Sequence, residues 1–433
     1  MCIRQIKLLN VNGCYVMIDT HTGRRTLNLT AIQQTEFCPP APARKDAPHH
    51  LPQQVRELLR TAGSHPLSGF YTEAVDTPNQ QALVIVLSCS SADEQVVAVF
   101  DTLTHMHKHD LRPFILTRHH IEGRAVHYGR FVIDANLRCT LESVRTTEQE
   151  LAGIATRAQW KGFFGRAQPL YPLLDTGLRR QAIVEPSALE LADASALAFQ
   201  SSHSALLAGL EPGECVRVEL FAPNRADKLL IVCDGQVYLR NYPLWPAVSH
   251  LNQILFASAP CAVLFLDPAE QLERDRFLGC EGYLSQWLTS TGLPWAGTHM
   301  PLPAADHCVI AGSSLGGLAA AQTVKNIPGT VAKAVVQSGS FWWHKQEAPG
   351  EEGEVLQQWL EAPLSPTIEI FHEVGHNEGY LLGWNLAFHE VLTERTVNHT
   401  HRIYKGGHDY ACWRQGIVDA LTHFFASAKL PNA

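Results

Sequence analysis

The stretch that most constrains this 433-residue chain is HCVIAGSSLGGLAAAQ, residues 307–322. An apolar run of strand character leads directly into Gly312-Ser313-Ser314-Leu315-Gly316, and a run of small helix formers follows. A serine between a strand and a helix on so sharp a turn has to take a backbone conformation that side chains resist. Glycines on both sides let the chain bend and let the following helix pack closely. The turn presents the hydroxyl at the end of the strand, beside the backbone N–H groups that open the helix. Those groups are placed to stabilise an oxyanion. The pattern therefore predicts Ser314 as a nucleophile and the Leu315 N–H as an oxyanion donor.

A serine nucleophile needs a base and an orienting acid, and strand–turn–helix hydrolases place them after it in the order acid, then histidine. Near the end of the chain stands YKGGHDYACWR, residues 404–414, with His408 on a Gly-Gly loop after a short strand pattern at Arg402–Tyr404. Among 22 histidines, its position and glycine context single it out as the general base. Between serine and histidine, the strand pattern Thr367–His372 runs into Glu373-Val374-Gly375-His376-Asn377-Glu378. Glu378, in the loop, is the candidate acid and Glu373 the reserve. Asp409 is set aside, because a residue rarely turns back onto the ring beside it in sequence. A second oxyanion donor is expected after the strand LLIVC, from the Gln236 N–H or a near neighbour. Asp234 in the same loop reads as a turn former.

The surrounding pattern fits this chemistry. From about Cys215, short apolar runs at Val216–Phe221, Lys228–Cys233, Cys261–Leu266, His307–Ala311, Val331–Gln337 and Thr367–His372 alternate with helical stretches. That alternation predicts an α/β fold with a doubly wound, mostly parallel sheet. Upstream, strand patterns at Tyr15–Asp19, Arg25–Leu29, Ala82–Ser88, Arg112–Thr117, Gly129–Ile133 and Arg138–Val144 mix with a helical reading of Ser91–His109. A Pro-rich stretch over Glu36–Pro52 reads as a loop. The irregular Phe163–Ala182, with Lys161, Arg166, Arg179 and Arg180 in or beside it, reads as a basic linker. The expected division is an N-terminal α+β or β-rich substrate-binding or lid domain over 1–195 and a catalytic domain over 196–433.

Composition excludes several classes. With 45% hydrophobic and 18% charged residues, the chain is neither disordered nor coiled-coil throughout. A formal charge of −8 disfavours nucleic acid and anionic membranes as partners. No apolar run reaches the roughly 18 residues of a membrane span, and the N-terminus lacks a signal-peptide pattern. Eleven scattered cysteines without a CxxC pair suit a reducing compartment, so the expectation is a cytoplasmic protein. The histidines of THMHKHD (His105, His107, His109) and His119-His120 lack cysteine or carboxylate partners at ligand spacing. No metal site and no cofactor are expected.

Residues 216–425 also carry a family resemblance. LLIVCDG with YPLWPAV (Asp234, Gly235, Pro243, Trp245, Pro246), RDRFLGC opening at Arg274, AGSSLGG, VVQSGSFWWH, VGHNEG and GGHDYACWR occur in this order. In this the chain resembles the ferric enterobactin (enterochelin) esterases, a cytoplasmic branch of the α/β-hydrolases. The resemblance implies a serine esterase that hydrolyses the trilactone backbone of a ferric catecholate siderophore. It also implies that Arg274 and Arg414, with Arg276 weaker, contact an anionic substrate, and that Trp342, Trp343 or Trp413 stack on catechol rings. Structural ion pairs and core packing are the alternative roles for these residues. Gly379 stands where the family usually has proline, Phe277 where it usually has an acid, and Leu382-Gly383 replace a Met-Arg pair. Residues 1–200 show no match to the family's N-terminal β-sandwich. Another acyl ester, an acyltransferase of the same fold, or a siderophore-binding protein without turnover remain the alternatives.

Overall fold

The computed structural model describes residues 6–11, 14–19, 25–28, 43–44, 55–57, 60, 68–91, 93–121, 123–134, 137–170, 203–223, 225–279, 281–343 and 354–425. The chain divides into two compact units. One comprises Cys38–Leu189 with Lys405–Cys412; the other comprises Met1–Phe37, Glu190–Tyr404 and Trp413–Ala433. The expected domain boundary at 195/196 lies outside the described residues, as do Arg179, Arg180 and nearly all of the Pro-rich stretch.

At the start of the chain, β1 (Ile6–Val11), β2 (Cys14–Asp19) and β3 (Arg25–Asn28) form an antiparallel meander. The unit that follows is built from two antiparallel sheets. One holds β4 (Ala43–Arg44), β5 (Ser68–Ala74), β6 (Gln80–Ser88) and β9 (Arg124–Asp134) in the order β4-β9-β6-β5, with β8 (Thr117–Ile121) also on β9. The other is β11-β10-β7, from β7 (Gln95–Phe100), β10 (Leu141–Thr146) and β11 (Gln168–Pro169). Leu83, Ile85, Leu87, Phe131 and Ile133 of the first sheet share one apolar core with Val97, Val99, Leu141 and Val144 of the second. This is the face-to-face arrangement of a β-sandwich. The helix expected over Ser91–His109 is instead β7 followed by the short α1 (Asp101–Met106). Gln95–Phe100 (QVVAVF) is buried almost throughout and rich in β-branched residues, which suit a pleated core position better than a helix. Likewise Arg112–Phe114 is a 3-10 turn carrying Pro113, not a strand. Further on, α2 (Arg157–Phe164) opens on a capping box formed by Thr156 and Gln159. Arg166 is ion-paired with Glu150 at 2.6 Å, both well exposed.

The second unit contains an eight-stranded sheet: β12 (His203–Ala208), β13 (Glu214–Phe221), β14 (Lys228–Cys233), β15 (Cys261–Glu270), β16 (Cys308–Ser313), β17 (Lys333–Gln337), β18 (Glu369–Gly375) and β19 (Asn398–Tyr404). Its order is β12-β13-β15-β14-β16-β17-β18-β19. The β12–β13 and β13–β15 pairs are antiparallel and all others are parallel. Every residue of β14 and β16 is buried, as strands covered on both faces must be. Each fully buried Leu, Ile or Val there contributes roughly 1.5–3 kcal/mol. Of the strands in this sheet, β12 and β19 were not legible as apolar runs: the side chains of β12 alternate between half-buried and exposed, and β19 (NHTHRIY) is mostly polar.

The strand order fixes where chemistry can occur. From β14 the chain goes to β15 on one side and later to β16 on the other. The loops after β14 and β16 therefore diverge and leave a crevice at the carboxyl ends of the strands. Beyond β14 come α3 (Gly235–Arg240) and, after β15, α4 (Arg274–Gly279); beyond β16 comes α5 (Leu315–Asn326), and beyond β18 comes α6 (Tyr380–Glu394). The helix α7 (Tyr410–Phe425) closes the described chain. No helix among the described residues is long and apolar enough to cross a membrane.

Candidate active site

Ser314 occupies the turn between β16 and α5 with φ 56° and ψ −120°, a conformation costing a non-glycine residue about 1–3 kcal/mol. Its surroundings hold it there. The Ser314 N–H donates to the Gln337 carbonyl at 2.9 Å, and the Ser340 N–H donates to the Ser314 carbonyl at 3.0 Å. The flanking glycines are required by space: a Cβ on Gly312 would overlap the Gly316 carbonyl, and one on Gly316 would lie 3.2 Å from the Cys233 Cβ. Gly312→Ala should therefore lower stability by about 3 kcal/mol or more, read as a large fall in Tm. An unchanged Tm would mean that the turn can relax. Leu315 is the first helical residue, so its N–H has no partner within the helix and joins the positive end of the dipole. The Ser314 Oγ lies 3.3 Å from the Ser340 Oγ.

The candidate acid follows β18. Glu378 is buried, and its Oε1 accepts from the Ser338 hydroxyl (2.6 Å), the Gly375 N–H (2.7 Å) and the Tyr404 hydroxyl (3.1 Å). Ser338, itself at φ 49°, also accepts from the Trp413 indole N–H at 3.1 Å. The reserve acid Glu373 is spent elsewhere: its carboxylate accepts from Gln337 Nε2 (2.6 Å) and Arg402 Nε (2.5 Å), and Arg402 also pairs with Asp419. Gly379 has φ 57°, which proline cannot adopt, so its departure from the family pattern is a matter of backbone conformation.

Sequence reading had passed over Ser338 and Ser340 as functional residues. The short segment Ser338-Gly339-Ser340 touches both Ser314 and Glu378. The available signal was two serines directly after a buried strand, in SGSFWW. Trp413 is buried and serves as a donor to Ser338, not as an open stacking face.

The loop after β14 requires a correction. The Gln236 N–H donates to Asp267 Oδ2 at 2.7 Å, and its side chain donates to Glu219 at 3.1 Å, so this amide is already committed and is not an open oxyanion donor. Asp234, at φ 56° and buried, is the turn former expected, and Arg274 grips it with two bonds of 2.6 and 2.7 Å. Arg274 thus forms the structural ion pair among its two expected roles. Arg414 donates through Nε to the Pro243 carbonyl at 2.7 Å. Arg276 pairs with the buried Glu214 at 3.0 Å. Trp342 and Trp343 are half-buried and meet edge to face at 5.6 Å; the Trp343 indole covers Gly279.

Burial pushes the Asp267 carboxyl up from its ordinary 3.8 to about 7; Asp234 and Glu219 add to this, while the Gln236 N–H and Arg217 oppose it. The folded state therefore holds this proton more tightly than the unfolded chain. Stability owed to the group is intact below about pH 4 and is lost as pH rises toward 7. Asp267→Asn keeps an acceptor for the Gln236 N–H. It should raise Tm at pH 8, by the equivalent of about 2 kcal/mol, with the gain shrinking toward pH 5. An equal gain at both pH values would refute the assignment.

His408 lies in the segment 405–412, which groups with residues 38–189. Its main-chain N–H donates to Thr102 Oγ1 at 2.8 Å. Asp409 is buried and accepts from the Thr140 hydroxyl (2.8 Å) and the Ala411 N–H (2.9 Å), so its carboxylate is occupied by the loop's own support. His105 and His107 pack on Phe164 and Phe114, and His119 meets Tyr128 edge to face. Among the described residues, Cys89, Glu94 and His127 are the one group of three with donor atoms within 4.8 Å of one another. Arg145 (2.6 Å) and Ser90 already occupy the Glu94 carboxylate.

A strained serine between strand and helix, an eight-stranded sheet of this order and a glutamate after its seventh strand define an α/β-hydrolase domain. Residues 269–424 match the Esterase family, described as "Putative esterase". The iron(III) enterobactin esterase of Dickeya dadantii is 31% identical over 221 residues, covering 47% of this chain and 50% of that protein. The iron(III) salmochelin esterase of Escherichia coli O6:H1 is 27% identical over 276 residues, covering 59% and 66%. The chain thus aligns with about half the length of the first of these relatives. The ferric enterobactin esterase structure from Salmonella typhimurium superposes with a TM-score of 0.67 at 22% identity, covering 85% of this chain and 98% of that one, a likeness of fold. The α/β part of the chain is thus similar to the iron(III) enterobactin esterases over the aligned half.

Proposed function

We propose that the protein is a serine esterase that opens the ester backbone of a ferric catecholate siderophore such as enterobactin, acting in the cytoplasm. The observation that carries this reading is the pairing of two features in one unit: the strained Ser314 turn, and Glu378 with three donors on a single carboxylate oxygen. The named relatives support the substrate class. In the reaction, Ser314 Oγ attacks an ester carbonyl while His408 takes the hydroxyl proton. The Leu315 N–H stabilises the oxyanion, and His408 returns the proton to the leaving alkoxide. Water, activated by the same imidazole, then releases the acyl group from Ser314, and Glu378 holds the imidazole in the required tautomer. Trp342 and Trp343 are the half-buried aromatic residues retained as contacts for catechol rings. Arg274 and Arg414 are retained as contacts for an anionic ligand alongside their bonds to Asp234 and to the Pro243 carbonyl. The chemical purpose is to break chelation: three catechols on one ring hold iron through high effective concentration, which ring opening removes.

The test is chromatography of ferric and iron-free enterobactin after incubation with the full chain. Linear trimer, dimer or monomer should appear. Intact siderophore from a preparation that turns over a simple aryl ester would assign the same chemistry to a different acyl substrate. Failure with both, and no labelling of Ser314 by a fluorophosphonate, would favour a binding protein.

A further inference from the structure

The segment that carries His408 leaves β19 at Tyr404 but is built into the unit of residues 38–189. The attachments are specific. Gly406 pairs with Arg138 as a parallel bridge, and the Arg138 N–H donates to the Lys405 carbonyl at 2.6 Å. Cys412 Sγ donates to the Arg138 carbonyl at 3.2 Å. Asp409, two residues before Ala411, is tied down by both the N–H and the hydroxyl of Thr140. Gly407 lies so close to Thr102 that a Cβ there would collide with that side chain.

At the centre is the Thr102 hydroxyl. It accepts the His408 N–H at 2.8 Å and donates to Asp101 Oδ2 at 2.6 Å. One hydroxyl has one proton to give and two lone pairs to accept with, so both bonds are made together. Asp101 sits at φ 38° at the junction of β7 and α1, a conformation that Asp and Asn tolerate better than other residues. Burial raises its pKa to about 6, and the hydrogen bonds from Thr102, then the charge of His408, oppose that rise.

We propose that Thr102 and Asp101 are positioning residues for His408, so that residues 38–189 fix the orientation of the general base in addition to any contact with substrate. This rests on the reading of His408 as that base. The chain of cause is short: Asp101 orients the Thr102 hydroxyl, the hydroxyl fixes the His408 main chain, and the main chain sets the direction of the ring. A displacement of about 1 Å at a reacting group can cost on the order of 100-fold in rate.

The experiment measures kcat and KM of the full chain on p-nitrophenyl acetate, a small ester that needs the catalytic groups and little else. Thr102→Val should lower kcat roughly 10- to 100-fold with KM within about twofold, and Thr102→Ser should recover kcat to within about threefold of wild type. Asp101→Asn, which suits the same backbone, should fall between them. Wild-type kcat in Thr102→Val overturns the proposal. So does a Thr102→Ser variant as slow as Thr102→Val, since packing of the methyl group would then be what matters. If Thr102→Val does not fold, the serine and asparagine variants decide on the same criteria. His408→Gln separates the two levels. Full turnover in His408→Gln removes the base reading itself. Lost turnover in His408→Gln with full turnover in Thr102→Val removes only the positioning role.

Discussion

Replacing Ser314 with alanine should lower kcat for ester hydrolysis by a factor on the order of 10⁵, with Tm changed by no more than a few degrees. The size follows from covalent catalysis: without the Oγ there is no acyl-enzyme, and what remains is the acceleration supplied by oxyanion donors and binding, roughly 10³–10⁴ over water. The fold should survive, because alanine carries the same Cβ through the same φ of 56° and keeps both backbone bonds that hold the turn. Only the 3.3 Å contact to Ser340 Oγ is lost. The measurement is turnover of enterobactin and of an aryl ester, paired with fluorophosphonate labelling. Residual activity near wild type on both esters would show that another residue is the nucleophile. A large fall in Tm would instead show that the hydroxyl supports the fold, and the kinetic loss could not then be assigned to chemistry.

How much of this could be read from the residues depends on whether the deciding partners are near in sequence. The turn at Gly312–Gly316 is local, and the expected order serine, acid, histidine needs only chain position. The strands β13 to β18 announced themselves as apolar runs because parallel strands covered on both faces need no alternation. The same property misled the reading of β7. QVVAVF has no period of two, and the polar residues before it and the histidines after it resemble the ends of a helix. The sandwich of residues 38–189 was illegible for the same reason, since Ala82–Val86 and Val96–Phe100 are buried on both faces and show no pattern of one inner face. At the site, errors arose from distant partners. The Gln236 N–H was a reasonable oxyanion donor until Asp267, 31 residues on, is seen to accept from it. Arg274 had two expected roles, and the partner that fills the structural one, Asp234, lies 40 residues before it. Position in the loop after the strand had favoured Glu378 over Glu373; that Arg402 and Gln337 occupy Glu373 is a separate ground, which no spacing rule supplies.

That choice yields the second large effect. Glu378→Gln should lower kcat by about 10³–10⁴ with KM little changed, while Glu373→Gln should keep kcat within about threefold and lose stability by about 1–3 kcal/mol. In Glu378→Gln the amide oxygen can keep the three donors now on Oε1, from Ser338, Gly375 and Tyr404, so the local structure has reason to persist. The other carboxylate oxygen becomes an NH₂ group. An imidazole N–H facing it meets donors instead of a charged acceptor, and the ring loses both its tautomer and the charge that stabilises the imidazolium. Glu373 has no such outlet. Its carboxylate is fully buried against Arg402, 31% exposed, and Gln337, so its removal leaves Arg402 with Asp419 alone and weakens the β18–β19 edge of the sheet. Thermal melts and kcat on the two variants, measured side by side, read these outcomes independently. If Glu373→Gln lost turnover and Glu378→Gln kept it, the acid would have to be reassigned to the body of β18, and the bonds converging on Glu378 would be structural only.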